Sequence, residues 1–226
     1  MNIAIVLFDG AEELDWAGPW EVLAAWSRIW PDDGVTVYTV ADSLDPVACA
    51  KGLRVLPEHT WESAPKPDVV VWPGGVGARE QIGVEAVRER VRSLAATGAL
   101  MTSVCTGALV YADAGLLDGR PATTWHGAVE RLAELGARAD GDSRFVDDGD
   151  VVTSAGVSAG IDMALHLSGA CTRSSGHARC AATSSTTPNR PSRPRTAGLG
   201  PERPRLPQPW RGSDPCHGQS GQYGRG

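Results

Sequence analysis

Hydrophobic and polar positions follow two alternating rhythms along the first 167 residues. Short runs rich in Val and Ile, "NIAIVLF" (2–8), "GVTVYTVA" (34–41), "DVVVWPGG" (68–75) and "GALMTSVC" (98–105), predict buried strands. Between the last two lies "VEAVRERVRSLAATG", where Val84, Val87, Val91 and Leu94 recur at helical spacing before a stop at Gly98. "AVERLAELG" and "AGIDMALHL" predict further helices, and "SRFVDDGDVVTSA" a hairpin turning at Asp148-Gly149. Strands that alternate with crossover helices imply an α/β fold, a mostly parallel sheet with helices on both faces.

The rhythm stops at Leu167. Residues 168–226 hold two residues from the set Val, Ile, Leu, Met and Phe, and eight of the 16 prolines. Such a segment buries too little apolar surface to offset its ordering entropy, so 1–167 is expected to be the folded domain and 168–226 a disordered tail. The amphipathic "GIDMALHL" also breaks off without a glycine cap until Gly169. Back-translating "LSGACTRSSGHARCAATSSTTPNRPS" in GC-rich codons and shifting the frame by one base makes available VRRLHSVERAREVRRYIQYDPEPPF, which continues the helix. The tail is therefore expected to be out-of-frame translation, with a natural low-complexity tail as the other reading. Sequencing the gene across Leu167 and Ser168 decides between them.

Charge follows the same division. The net value of −6 combines twelve Lys and Arg against 25 Asp and Glu up to Leu167 with nine Arg against two acids beyond it. A basic tail without interleaved aromatics or helical period gives no case for nucleic-acid binding. The N-terminus has no basic region before its apolar run, and no span is long enough for a membrane, so a cytoplasmic protein is expected. Cys49, Cys105, Cys171, Cys180 and Cys216 form an odd set without a CxxC pair, which argues against a disulfide framework or zinc site.

Candidate chemistry centres on "LMTSVCTGALVYADAG". A strand that turns at once into a helix holds its corner residue above the sheet, the nucleophile-elbow geometry, with Cys105 at the corner and Gly107 permitting close backbone approach. Helix N-terminal amides are expected to favour a thiolate there, the alternative being a small core residue. Carboxyl ends of parallel strands are where open α/β sheets bind ligands, and three other loops reach that edge. "DGAEELDWAGPWEVL" brings Asp15 just ahead of a helix expected to start at Gly18-Pro19, with Glu12, Glu13 and Glu21 as rivals for a general acid or base. "WPGGVG" supplies Gly74 and Gly75, whose amides, with that of Thr106 after the elbow, are expected to face an oxyanion. "ATTWHGAVERL" sets His126 at a helix start, either a base or substrate contact for Cys105 or a capped surface histidine.

Together "FDGAEELDWAGPWEVL", "VVWPGGVG", "TSVCTGALVYADAGLLDGRPATTWH" and "SAGVSAGIDMALHL" resemble the ThiJ/PfpI family, in the class I glutamine amidotransferase-like superfamily, from Asn2 to about Leu167. The shifted-frame ending likewise resembles that family's C-terminal "YDPxPP" segment. The resemblance implies a single flavodoxin-like sandwich, a homodimer, no cofactor and no metal. "LDWAGPWEVL" with "SVCTGALV" is most similar to the isonitrile hydratase branch, which carries a nucleophile to Cys105, its acid to Asp15 and a positioning role to Thr106. The glyoxalase and deglycase branch usually has Glu at the Asp15 position, and the peptidase-like branch has His where Thr106 stands. Sensor domains of AraC-type regulators share the elbow, but no helix-turn-helix pattern follows Leu167. The implied activity is hydration of an isonitrile. The other readings are turnover of a dicarbonyl or amide at the same site, and a non-enzymatic ligand or redox sensor.

Overall fold

The computed structural model describes residues 1–172. Seven strands form one sheet: β1 (Asn2–Val6), β2 (Thr36–Ala41), β3 (His59–Thr60), β4 (Val69–Trp72), β5 (Leu100–Val104), β6 (Phe145–Asp147) and β7 (Val151–Ser154). Their order is β6-β7-β5-β4-β1-β2-β3, parallel throughout except for β6, which pairs antiparallel with β7. This is the expected α/β architecture, and the β6–β7 hairpin turns at Asp148 and Gly149 as its sequence predicts.

The central strands are apolar on both faces because helices cover both. Register aligns Tyr38, Ala4, Val70, Met101 and Val151 in one row across the sheet. That row packs with Val91, Leu109 and Leu132 of α3 (Glu85–Ala96), α4 (Gly107–Asp113) and α5 (Val129–Glu134). The neighbouring row of Ile3, Val69 and Leu100 faces the other way, against Leu23 and Trp26 of α1 (Glu13–Ile29) and Met163 and Ala164 of α6 (Ala159–Thr172). Each fully buried aliphatic side chain in these rows contributes roughly 1.5–3 kcal/mol relative to exposure.

Two boundaries differ from the sequence reading. Helix α1 starts at Glu13 rather than at Gly18-Pro19, so Asp15 lies in its first turn and Pro19 inside the helix. Pro19 forfeits the bond its missing N–H would give the Asp15 carbonyl and its ring crowds that carbonyl, a cost the helix carries, and acids in the first turn suit the positive end of the helix dipole. Helix α6 runs past Leu167 to Thr172. The expectations of disorder and a shifted frame lie, from residue 173 on, outside the described residues. No helix among the described residues is long and apolar enough to cross a membrane.

One ion pair fixes the elbow helix from outside. Asp113, the last residue of α4, receives Nε and Nη2 of Arg88 on α3, both at 2.8 Å, together with the Gly83 amide. The guanidinium holds the Asp113 carboxyl below its usual range.

Candidate active site

Cys105 directly follows β5 and precedes α4, with φ of 57°, in the left-handed region that costs a non-glycine residue roughly 1–2 kcal/mol. The strain is held by pairing on both sides: the Cys105 amide donates to Ser154 at 2.9 Å, and Thr124 Oγ1 donates to the Cys105 carbonyl at 2.7 Å. Glycine is required at two neighbouring positions. A Cβ on Gly107 would come within 2.3 Å of the Trp72 carbonyl oxygen, as its expected close-approach role demands. On Gly156, whose φ is 134°, a Cβ would stand 3.0 Å from the cysteine Cβ and 3.3 Å from its sulfur.

Of the four acids weighed in the first loop, Asp15 reaches the thiol. It is 0% exposed, and its Oδ1 accepts the Val157 amide at 2.8 Å while Oδ2 accepts the Gly74 amide at 3.1 Å. The thiol is the third group that acts on the same carboxylate, favouring its charged form. Burial lifts the Asp15 pKa to about 6 even though these three groups favour its charged form. The rivals are engaged elsewhere or exposed. Glu12 pairs with Lys51 Nζ, Glu13 Oε1 accepts the Lys51 amide at 2.6 Å, and Glu21 lies at the surface.

Three expectations need correction. The helix start does not suffice to make Cys105 a thiolate: burial first, and then the Asp15 charge, push it up to about 12, outweighing the Thr106 amide and hydroxyl that oppose them. Nor do Gly74 and Gly75 present amides to an oxyanion. The Gly74 N–H is taken by Asp15, and the Gly75 N–H donates to Thr106 Oγ1 at 3.0 Å. That hydroxyl in turn lies 3.2 Å from the Gly75 carbonyl, so Thr106 clamps the glycine loop to the elbow. Thirdly, His126 is an exposed residue tilted against Trp125, 4.7 Å between ring centroids, and does not line the cavity over the thiol.

That cavity has a volume of about 270 Å³, with Cys105 and Thr106 among its lining residues. Glu12, Val76, Arg79, Trp125 and Val157 form the rest of its wall with Gly75. Trp125, Arg79 and Val157 were missed in the sequence. "TTWH" drew attention to its histidine, and nothing in "SAGVSAG" reveals that Val157 takes φ of 49° with its amide on Asp15.

The sequence model of the DJ-1/PfpI family matches residues 1–170. An isonitrile hydratase of Pseudomonas putida is 41% identical over 167 residues, 74% of this chain and 70% of the relative. Among solved structures, a ThiJ/PfpI family protein from Pseudomonas syringae superposes with TM-score 0.66 at 32% identity, covering 74% of this chain and 67% of that one. The DJ-1beta protein of Drosophila melanogaster gives TM-score 0.64 at 25% identity, over 74% and 88%.

Proposed function

The chain belongs to the DJ-1/PfpI family, and from that premise we propose that it is a cysteine-dependent hydratase adding water to an isonitrile to give an N-substituted formamide. The observation that carries the reading is the Asp15 carboxylate set directly against the Cys105 thiol. Similarity to the Pseudomonas putida hydratase supports it.

The resting pair is a thiol and a carboxylate, so the proton moves from sulfur to Asp15 as sulfur attacks the terminal isonitrile carbon. Attack builds negative charge on that carbon, and Asp15 returns the proton to it, leaving a thioimidate on Cys105. Water, deprotonated by Asp15, then adds to the same carbon while the nitrogen takes up a proton. Collapse of the adduct releases the formamide and restores the thiol. Negative charge in the first step lies on carbon and is quenched by a proton. A site whose Gly74 and Gly75 amides are already engaged therefore suits this chemistry better than acyl transfer, which needs free oxyanion donors.

The test is formamide production, followed by mass spectrometry, from cyclohexyl, benzyl and 4-nitrophenyl isonitriles with purified protein and with Cys105→Ala. Turnover by the natural chain, abolished in the variant, is expected. Absence of formamide from all three overturns the reading, and lactate from methylglyoxal in its place assigns the same site to a dicarbonyl.

A further inference from the structure

Hydration at Cys105 and Asp15 leaves the outer wall of the cavity without a role. Arg79 stands there, an exposed residue of the short helix α2 (Val76–Glu80). Its guanidinium carbon lies 5.4 Å from the Trp125 ring centroid. Among the described residues no carboxylate pairs with it. Glu12, the acid on the same cavity, is occupied by Lys51. The support beneath Arg79 is fixed. Gly77 donates its amide to the Gly10 carbonyl at 3.1 Å, and Gly75 bridges to Ala11, so α2 is tied to the loop that leads into the Asp15 helix.

A guanidinium offers five donors in a planar fork that matches a carboxylate, and an aromatic contact restrains that fork without consuming its N–H groups. The wall that Arg79 shares with the thiol includes Val76, Trp125 and Val157, which are apolar. We propose that Arg79 is a specificity residue that binds a carboxylate on the substrate, so that the site takes electrophiles with an anionic end and an apolar linker. The assignment rests on the reading of the Cys105 cavity as the substrate site.

Two measurements test it. In the first, iodoacetamide labels Cys105 in the presence of hexanoate or hexanamide, with the labelled peptide followed by mass spectrometry. Half-protection is expected at about a tenfold lower concentration of hexanoate, the scale of one charge-assisted hydrogen bond. Arg79→Gln closes that gap and Arg79→Lys retains part of it, because lysine keeps the charge and loses the fork. In the second, 6-isocyanohexanoate is compared with its methyl ester, and the acid-to-ester ratio of kcat/KM collapses in Arg79→Gln. Equal protection by the two compounds, or a gap that survives Arg79→Gln, overturns the proposal. A hexanoate gap that depends on Arg79, together with no hydration of any isonitrile, sinks the hydratase reading and leaves the carboxylate site standing.

Discussion

The Cys105 thiol and the Asp15 carboxylate act on each other with opposite consequences for the two residues. The thiol favours the charged form of the acid, while the acid's charge opposes ionisation of the sulfur. Burial raises both, to about 6 for Asp15 and about 12 for Cys105. Across the neutral range the pair therefore holds one proton, on sulfur, with its acceptor already in contact.

Activity is expected to follow the titration of the acid. With Asp15 as proton acceptor, kcat/KM rises as pH passes about 6 and then stays level, without a second limb near the ordinary thiol range. A pH–rate profile from 4.5 to 9.5 checks this. A rise centred between 8 and 9 would show a thiolate-limited enzyme and refute the assignment.

Alkylation of the sulfur gives an independent check. With its thiol pushed up to about 12, Cys105 should react with iodoacetamide at pH 7.5 at least about a hundredfold more slowly than a free cysteine peptide. The rate should still be climbing at pH 9.5. Quantitative mass spectrometry of the Cys105 peptide separates it from Cys49.

The raised acid also predicts a pH-dependent stability. A folded-state pKa of about 6 against 3.8 means that the folded chain binds this proton more tightly. The resulting stabilisation is full below about pH 4 and is lost as pH rises through 6, on the order of 3 kcal/mol at most. Asp15→Asn lacks the titration and leaves one of two amide donors without an acceptor, which adds a constant offset. The difference in Tm, variant minus natural chain, should accordingly become more positive between pH 4 and 7.5. A difference independent of pH contradicts it.

Thr106 is expected to act by positioning. Thr106→Val removes the acceptor of the Gly75 amide at the base of the cavity, which costs about 1–3 kcal/mol of stability. It should lower kcat by freeing the glycine loop, and Thr106→Ser should restore both. Thermal melts and kinetics of the two variants decide. A loss in Thr106→Ser with none in Thr106→Val would mean that the methyl group, and not the hydroxyl, matters.

The sheet was legible because a strand buried on both faces reads as an apolar run, unbroken in β4 and, in β1 and β5, broken only by Asn2 and by Thr102 and Ser103. The elbow was legible for the same reason: "ALMTSVCTGALV" switches from strand to helix at one residue. What the sequence hid was direction. Gly74 and Gly75 were recognised, but whether their amides point into the cavity depends on Asp15 and Thr106, which join them from other parts of the chain. His126 and Trp125 are adjacent, and only the path of the loop decides which one lines the cavity. Arg79 sits on a single helical turn too short to carry any periodic signal.

The Val157 amide gives the last helix a part in the chemistry. Asp15 Oδ1 is gripped from a position two residues ahead of α6, a helix packed along α1, which carries Asp15 itself. The acid is thus strung between two neighbouring helices, and the tension on that string is set by how firmly α6 is seated. A variant that loosens α6 would keep its cysteine, its glycines and its sheet, yet lose the tuning of its proton. Such damage would surface as a displaced midpoint of the pH–rate profile before any loss of secondary structure.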